Sequence, residues 1–414
     1  MIARIWSLIA QLWWISSAML PLDADSSSVH ISLTDGRLIC GRWLTATVEH
    51  LHLEPLAPDE MNHQLSWQRV AAVRFLNRPI ECTTNDWVWM AWGDRYPLTV
   101  RRWHDDQVTL TAHTSLVQLG SANTLTWGTE SVQAVLFDYP ASPAVRRDWL
   151  QQLASSPGGE DTACFLNGDV WSGQLATIEN DDIRWDTAQG QLALDRRRLR
   201  WIRLDPELTQ QPSWPERWWH LALVDGSRWT LREFYPHAEG WQGQLLEGTT
   251  VRGSWSSIVR LVQLSRGCWP VSRRAVLRAE CQPWWPQAPV PRWERDRHGD
   301  RGVLSVRGEE AWHGLGMWSG CRLTFSVQPG DRAFISHVGI DDVARGGGVV
   351  QFRILLDGHI VWTSQQITGR TPLVSTPLIP LTGHQELTLE VLASAAADVA
   401  DYADWWEPLI LRED

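Results

Sequence analysis

The chain has 414 residues, of which 43% are hydrophobic, and its formal net charge is −11. This length allows two or three domains with real cores, and the acidic balance argues against nucleic acid as a partner because phosphate binding needs a basic face. All 37 cationic residues are arginine, and 29 residues are tryptophan, a side chain whose flat apolar face and polar edge suit interfaces and sugar rings.

The N-terminus has the pattern of a secretory signal. Arg4 precedes an apolar run from Ile5 to Ile15, and small residues follow at 16–18. The run is short for a membrane span, and Gln11 interrupts it. Residues 1–24 are therefore predicted to be a signal peptide, with an uncleaved anchor as the alternative. The protein is predicted to be exported to the periplasm, the cell envelope or the outside of the cell.

Four related β-units are predicted after the signal. Each opens with a turn between alternating strands, as in "DGRLICGRWL" and "NGDVWSGQLATI", and closes with an apolar pattern such as "VAAVRF" or "LRWIRL". Asp-Gly and Asn-Gly between such strands are strong hairpin signals. The units are placed at 29–78, 86–140, 162–206 and 217–265, with a short helical linker at 142–160. A sheet this small cannot bury its apolar face alone, so the four units must stack on one another.

No catalytic pattern is recognisable in residues 29–266. The region contains no His-x-His pair, no evident Ser/His/Asp grouping and no glycine-rich phosphate loop. A structural or interaction role is therefore favoured for the array. A hydrolase remains an alternative, and it requires two carboxylates of this region to face each other across a cleft.

The segment 268–294 is rich in proline and tryptophan and is interpreted as a connection. Proline removes a backbone donor and favours extended, unpaired chain. The six cysteines form no Cys-x-x-Cys pair, which makes a zinc or redox site a weak interpretation. An even count in an exported chain permits disulfides. Cys268 and Cys281 bracket this segment and are the first candidate pair.

The last region, 295–414, alternates apolar and polar residues. Val350, Phe352 and Ile354 follow a period of two, as do Leu387 and Leu389, and no long helix is indicated. The pattern predicts an antiparallel β-sandwich. The fold class is therefore all-β, with an array of four small antiparallel units followed by a sandwich.

Residues of about 295–412 resemble the NPCBM family, carbohydrate-binding modules named from glycoside hydrolase family 98 and related to family 51 modules. The resemblance lies in "HGLGMWSGCRLTF", "VGIDD" with its following glycines, "VQFRILLDG", "LTGHQELTLEV" and "DYADWWEPLI". It implies a galactose-binding-like jelly roll and non-catalytic glycan binding. Tyr402 stands where the family usually has histidine, and Trp406 where a small residue is usual. These departures favour the alternative of a cell-envelope structural or protein-interaction protein without sugar binding.

Sugar rings stack on aromatic faces, and their hydroxyls suit planar polar partners. Within the resembling region, Trp318 and Trp406 are expected at the surface and Trp405 in the core. The predicted carbohydrate-binding residues are His313, Trp318, Arg322, Trp362, Asp404 and Trp406.

The loop "GIDDVARGGGVVQF" leads into a strand and not into a helix, which argues against phosphate binding. Adjacent Asp341 and Asp342 would point to opposite faces of a strand, which argues against a glycosidase pair. They are expected to cap turns through backbone amides. The resemblance also allows a structural calcium site, because loop carboxylates suit Ca2+. Its candidate ligands are Asp341 and Asp342, and a second cluster formed by Asp398, Asp401 and Asp404.

Overall fold

The computed structural model describes residues 27–412, with gaps at 36, 57–61, 113–115, 120–123, 156–157, 266, 284, 286, 288–289, 299–301 and 394–398. The predicted signal peptide lies outside the described residues. These residues form 37 β-strands, one α-helix and six 3-10 helices, which confirms the all-β class. Within the same ranges, no helix combines the length and the apolar character needed to cross a membrane.

The four predicted units are present, and each is an antiparallel sheet. The first contains β1 (Ser28–Leu33), β2 (Leu38–Ala46), β3 (His50–Pro55), β4 (His63–Ser66) and β5 (Val70–Phe75), and the second β6 (Trp87–Met90), β7 (Arg95–Tyr96), β8 (Leu98–His104), β9 (Gln107–Ala112), β10 (Val117–Leu119), β11 (Thr124–Gly128) and β12 (Val132–Leu136). The third contains β13 (Asp161–Phe165), β14 (Val170–Glu179), β15 (Asp182–Thr187), β16 (Gly190–Asp195) and β17 (Leu199–Arg203), and the fourth β18 (Arg217–Leu223), β19 (Arg228–His237), β20 (Gly240–Leu245), β21 (Thr250–Ser254) and β22 (Ile258–Ser265).

All four units follow one plan. The first strand of each pairs with the second strand and with the last. A one-turn 3-10 helix leads into each last strand, at Trp67–Arg69, Thr129–Ser131, Arg196–Arg198 and Trp255–Ser257. The pairing of first and last strands shifts register once in every unit. Such bulges increase the local twist, which curls each sheet so that its apolar face turns inward.

The units share one core, as their small size requires. β5 pairs with β22, β12 pairs with β17, and β10 pairs with β21, so strand pairing runs from unit to unit. The common core contains fully buried side chains from each unit, including Leu53, Val100, Trp185 and Trp229. Helix α1 (Pro143–Ser155) lies between the second and third units, where Trp149, Leu150 and Leu153 pack in a separate cluster with Trp87 and Trp201.

The C-terminal region is an antiparallel sandwich, as predicted. Its strands are β23 (Cys268–Pro270), β24 (Val276–Cys281), β25 (Trp293–Arg295), β26 (Ser305–Val306), β27 (Glu309–Glu310), β28 (Gly314–Trp318), β29 (Cys321–Ser326), β30 (Asp331–Ile340), β31 (Val349–Leu356), β32 (His359–Thr363), β33 (Ile367–Thr368), β34 (Val374–Ser375), β35 (Ile379–Pro380), β36 (Glu386–Ala393) and β37 (Tyr402–Arg412). The remaining 3-10 helices are Val271–Arg273 and Asp342–Ala344. One sheet has the order β25-β28-β37-β30, and the other β24-β29-β36-β31-β32.

The sandwich core lies between these two sheets. Leu315, Phe334 and Trp405 come from the first sheet, and Phe352 and Leu389 from the second, and all are fully buried. The alternation of apolar residues in β31 and β36 explains this arrangement, because every second side chain of a strand points to the same face.

The segment interpreted as a connection contributes strands to both sheets. β23 pairs with β37 of the first sheet, and β24 pairs with β29 of the second. Cys281 lies opposite Cys321 in that second pairing, and the two form a disulfide. The candidate pair of Cys268 and Cys281 is therefore wrong, because the two residues belong to different sheets. Cys268 is a buried free thiol that packs near Leu264.

The array and the sandwich are joined by strand pairing and by buried charge. β23 pairs with β22 of the array as well as with β37. Three arginines of the array, Arg95, Arg228 and Arg260, are 5–6% exposed. Glu310 of the sandwich lies 2.7 Å from Arg95 and 3.6 Å from Arg228, and Glu407 lies 2.7 Å from Arg260. The sandwich thus supplies two carboxylates that pair with three buried cations of the array.

Replacing Arg260 by methionine should lower the free energy of unfolding by about 3–5 kcal/mol, because Glu407 would stay buried without its cation. The double variant Arg260→Met/Glu407→Leu should recover part of that loss. Urea denaturation of the full chain measures both. The matched control is Arg42→Met in the exposed pair with Glu54, which should cost no more than about 1 kcal/mol. Equal losses for the two single variants would contradict the buried-pair account.

The Cys281–Cys321 disulfide closes a loop of 40 residues. The double variant Cys281→Ala/Cys321→Ala should lose about 4 kcal/mol of unfolding free energy, because the open loop gains entropy when the chain unfolds. Denaturation of the wild type with and without reductant should give a similar difference. Cys40→Ala, at a half-buried free thiol, is the control. A wild type that is insensitive to reductant in denaturant would count against the disulfide.

Candidate functional site

A cleft of about 330 Å³ lies where the array meets the sandwich, and we term it the junction cleft. Residues of both domains line it. The aromatic ones are Trp89, Trp92, Trp214 and Trp312, together with the imidazoles of His220 and His313. The charged ones are Arg95, Arg203, Arg228, Arg273, Asp296 and Arg297. The cleft therefore combines several indole faces with planar guanidinium groups.

A chain of polar contacts, made of three hydrogen bonds and one longer ion-pair contact, crosses the junction beside the cleft. The Thr230 hydroxyl donates to Asp94 Oδ1 at 2.6 Å, and its oxygen lies 2.9 Å from His220 Nδ1. His220 Nε2 lies 3.3 Å from His313 Nε2, and His313 Nδ1 lies 3.6 Å from Asp296 Oδ1. The first three residues belong to the array and the last two to the sandwich region, so the chain ties the two walls together.

The network assigns the tautomer of His220. The Thr230 hydroxyl donates its proton to Asp94. Its oxygen therefore acts as an acceptor toward His220, which places the hydrogen on His220 Nδ1. His220 Nε2 is then a bare acceptor, which receives the Trp218 Nε1–H at 3.2 Å and the Nε2–H of His313. Burial, followed by the charge of His313, lowers the pKa of His220 well below its usual value. His220 is therefore neutral and serves as a fixed acceptor.

Asp296 is the acidic group at the sandwich end of this chain. Burial alone would raise the pKa of Asp296, but the nearby His313 imidazole and the hydrogen bond from the Gly314 amide hold it below its usual value. The Gly314 amide donates to Asp296 Oδ1 at 2.9 Å. The carboxylate is thus ionised and engaged within the protein.

Two aromatic groups shape the opposite walls. The Arg273 guanidinium lies over two indoles, 4.5 Å from the ring centroid of Trp214 and 5.6 Å from that of Trp218. Trp312 stacks on His220 with ring centroids 5.0 Å apart and lies beneath Arg228. These stacks hold the polar edges of the guanidinium groups in place.

Of the six predicted carbohydrate-binding residues, His313 alone is among the residues that line the junction cleft. Trp318 is half-buried, and its ring meets Tyr402 edge-on at 5.1 Å. Arg322 is paired with Glu390 at 2.6 Å. Trp362 packs against the sandwich core near Trp405. The structure does not bring these side chains together into one site.

Asp404 and Trp406 are buried, with 0% and 1% of their surface exposed. The prediction of a surface position for Trp406 is therefore wrong. Trp405 and Trp406 point to opposite faces of β37, so Trp405 enters the sandwich core while Trp406 faces the array. There Trp406 packs with Leu304 and beneath the Arg260 guanidinium, which lies 4.2 Å from its ring centroid.

Residues 280–410 match the family model of the NPCBM/NEW2 domain. The C-terminal region is an NPCBM domain. The junction cleft lies between this domain and the four-unit array, and His313 belongs to the first of the domain's motifs.

A curated relative matches part of the same region. It is named "Putative endo-alpha-N-acetylgalactosaminidase" and comes from Renibacterium salmoninarum. The two are 30% identical over 107 residues, which make up 26% of this chain and 7% of that protein. The chain therefore spans a small part of its relative.

Solved structures of family 51 carbohydrate-binding modules are also similar. One comes from a family 95 glycoside hydrolase of Clostridium perfringens with methyl-galactose, at 19% identity and a TM-score of 0.31, covering 34% of this chain and 99% of the other. Another is the tandem modules of a family 98 hydrolase from Streptococcus pneumoniae, at 10% identity and a TM-score of 0.30, covering 93% and 88%. Such low identities and TM-scores say nothing about what this chain binds.

The aspartates proposed as calcium ligands serve mainly as caps in the NPCBM domain. Asp341 accepts from the Val343 amide at 2.8 Å, and Asp342 accepts from the Gly308 amide at 2.7 Å, which confirms their capping role. Asp401 accepts from the Val349 amide at 2.8 Å. Asp398 lies outside the described residues. In the ranges that the structure covers, no three His, Cys, Asp or Glu residues form a group that could hold a metal.

Asp341 and Asp404 form a buried carboxyl pair. Burial, followed by the negative charge of Asp341, raises the pKa of Asp404 well above its usual value. Burial also raises the pKa of Asp341, and the hydrogen bond from Asp404 partly offsets that rise by lowering the pKa. Asp404 is therefore the protonated partner, and it donates to Asp341 within the protein. This pairing explains why a carboxyl can be fully buried at that position.

A second groove, of about 540 Å³, lies on the array and bears on the hydrolase alternative. It is lined by two carboxylates, Glu49 and Glu233, beside Trp67 and Trp219. The Glu49 side chain is 83% exposed, and Glu233 is exposed and accepts from the Tyr235 hydroxyl. A glycosidase acid is usually held in an apolar pocket that keeps it protonated, and neither residue has such surroundings.

Sequence reasoning missed most of the cleft. His220 of the array lies far along the chain from Asp296 and Trp312 of the sandwich region, and it meets them only because the domains dock. One local signal was available, since Trp312 and His313 are adjacent and precede the glycine motif. Such an adjacent aromatic pair in a loop before a strand occurs in ligand-binding sites and in hydrophobic cores alike, so the sequence alone does not assign it to a binding site.

Replacing Asp404 by asparagine should flatten the pH dependence of stability. The folded-state pKa of Asp404 lies above its unfolded value of about 3.9, so the stability it contributes is full below that value and is lost as pH rises through the folded pKa. The amide keeps a donor for Asp341 and never ionises. Urea denaturation at increasing pH should therefore show the variant gaining on the wild type. Parallel pH curves for the two proteins would contradict the assignment.

Proposed function

We propose that the protein is an exported, non-catalytic carbohydrate-binding protein and that it holds its sugar in the junction cleft. The NPCBM domain supports carbohydrate binding. The observation that carries the proposal is a cleft where indole faces and fixed guanidinium edges line the same space, with His313 of the domain on one wall. Its volume lies in the range of ligand pockets, about 300–1,000 Å³.

The residues match what a sugar ring needs. Trp92 and Trp214 are half-buried and line the cleft, so each leaves part of an indole face for the C–H surface of a ring. Arg273, held against Trp214, offers parallel N–H donors to ring hydroxyls. His220 is neutral, and both of its ring nitrogens are engaged within the protein by Thr230, Trp218 and His313.

The absence of catalysis is supported by the acidic groups of the cleft. Asp296 is the one carboxylate among the described residues that line it, and His313 and Gly314 already engage it. Glycoside hydrolysis generally needs two carboxylates across the scissile bond. Binding without cleavage therefore fits this lining better than hydrolysis does.

Export is supported by two features. The segment 1–24 has the pattern of a secretory signal. The Cys281–Cys321 disulfide is typical of proteins in an oxidising compartment, such as the periplasm or the outside of the cell. A glycan or polysaccharide met there is the proposed partner.

A glycan array probed with the full chain should show binding to a defined class of oligosaccharide. Trp214→Ala should then lower affinity by about tenfold or more in calorimetry, because burying an aromatic face against a ligand is worth about 1.5 kcal/mol or more. The matched control is Trp171→Ala, at a tryptophan that is 42% exposed and lies on the third unit. Circular dichroism and thermal melting verify folding.

Two results would sink the proposal. A folded full chain that binds nothing on the array would favour a cell-envelope protein that contacts other proteins. Equal losses for Trp214→Ala and Trp171→Ala would remove the junction cleft as the site.

A further inference from the structure

We propose that the junction cleft selects glycans that carry an anionic group, either the carboxylate of an acidic sugar or a sulfate ester. This inference rests on the proposed function, since it names the class of sugar that the same cleft takes. Two observations support it: the cleft walls have more arginines than carboxylates, and their free hydrogen-bonding groups are mostly donors.

Five arginines and one carboxylate are among the described residues that line the cleft. Glu310 is shared between Arg95 and Arg228, and Asp296 lies beside His313. Arg273 and Arg297 remain. In the part of the chain that the structure describes, no ion pair joins half-buried Arg273 or exposed Arg297 to a carboxylate within 4.0 Å, whereas Arg95, Arg228 and Arg260 each have one.

Two cations of the cleft wall, Arg203 and Arg297, lie close enough to repel each other. Arg203 is half-buried, and burial together with the nearby charge of Arg297 lowers its pKa, against the weaker effect of Asp205. Arg297 is exposed and belongs to both the junction cleft and the neighbouring groove beside Trp293. Like charges that share a wall destabilise each other, and an anion between them would relieve that repulsion.

The hydrogen-bonding groups of the walls are mostly donors. Trp89 and Trp312 line the cleft, and the buried Nε1–H of each meets no acceptor among the described residues. Trp312 is 8% exposed, so its indole donor is withdrawn from bulk water. A neutral hydroxyl donates one hydrogen bond as well as accepting others, so it also needs an acceptor on the wall. Carboxylate and sulfate oxygens only accept hydrogen bonds. Unsatisfied donors therefore favour an anion over a hydroxyl.

Geometry adds to the charge. The plane of Arg273 is fixed by Trp214, so its N–H edge is already oriented before a ligand arrives. A fixed guanidinium edge suits the two parallel bonds that a carboxylate or sulfate accepts. The net charge of −11 repels anions from the chain as a whole, so an acidic glycan would bind where the arginines are concentrated.

The test uses the full chain and matched ligands in calorimetry. The probes are a glucuronate-terminated oligosaccharide, its carboxyl-reduced glucose-terminated counterpart and a sulfated form of the latter. At least one anionic probe should have an affinity at least roughly tenfold higher than the neutral probe. The reason is that a hydrogen bond to a charged group is stronger than one between neutral groups. Added salt should weaken that preference. The tighter of the two anionic probes identifies the carboxylate or the sulfate as the source.

Variants locate the effect. Arg297→Gln should reduce the affinity for the preferred anionic probe by roughly tenfold and leave the neutral probe nearly unchanged. Arg197→Gln changes the same charge at an exposed position in the turn before β17 and should have no effect. Because Arg297 is exposed, its replacement is not expected to unfold the chain.

The outcomes separate the two proposals. Equal affinity for neutral and anionic probes would overturn the anion inference and leave carbohydrate binding in place. Anion-selective binding that Arg297→Gln does not change would also overturn it, because the selectivity would then arise elsewhere. Absence of binding to any probe, together with an empty glycan array, would overturn both.

Discussion

Three buried arginines of the four-unit array govern how this protein is assembled. A guanidinium that is withdrawn from water is very costly unless a carboxylate accompanies it. Glu310 and Glu407, which belong to the NPCBM domain, lie against Arg95, Arg228 and Arg260. The array therefore reaches a low-energy state only with the sandwich docked in one orientation, and the pairing of β23 with both neighbours fixes the same orientation.

That orientation also creates the candidate site. The short segment 309–313 carries the carboxylates that anchor the domain and, directly after them, Trp312 and His313, which line the cleft. The backbone takes part as well, since the Ala311 carbonyl accepts from Arg228 at 2.8 Å. Anchoring and binding groups thus come from one stretch of chain, and a change in docking would move both.

Local patterns were enough for the strands and their turns, but they could not supply the domain interface. Alternation identified β31 and β36, and Asp-Gly and Asn-Gly turns marked the openings of array units. The burial of Trp406 and the identity of the disulfide partner of Cys281 depend on which strands and domains pack together. Strand periodicity carries no information about that packing. The Asp341 caps were predictable because an aspartate binds nearby amides, whereas the link from His220 to His313 required a strand residue and a loop residue 93 positions apart to meet.

The strand β23 has a practical consequence for protein engineering. It covers the edge of β37 and completes β22, so it belongs to both domains at once. A sandwich cut out after this strand and fused to another protein would present part of β37 as an open edge, with Glu310 and Glu407 facing solvent or an unrelated surface. Open edges recruit strands from other chains and lead to aggregation. This NPCBM domain is therefore poorly suited to fusion with another protein unless the fusion also includes β23 and the face of the array that bears the arginines.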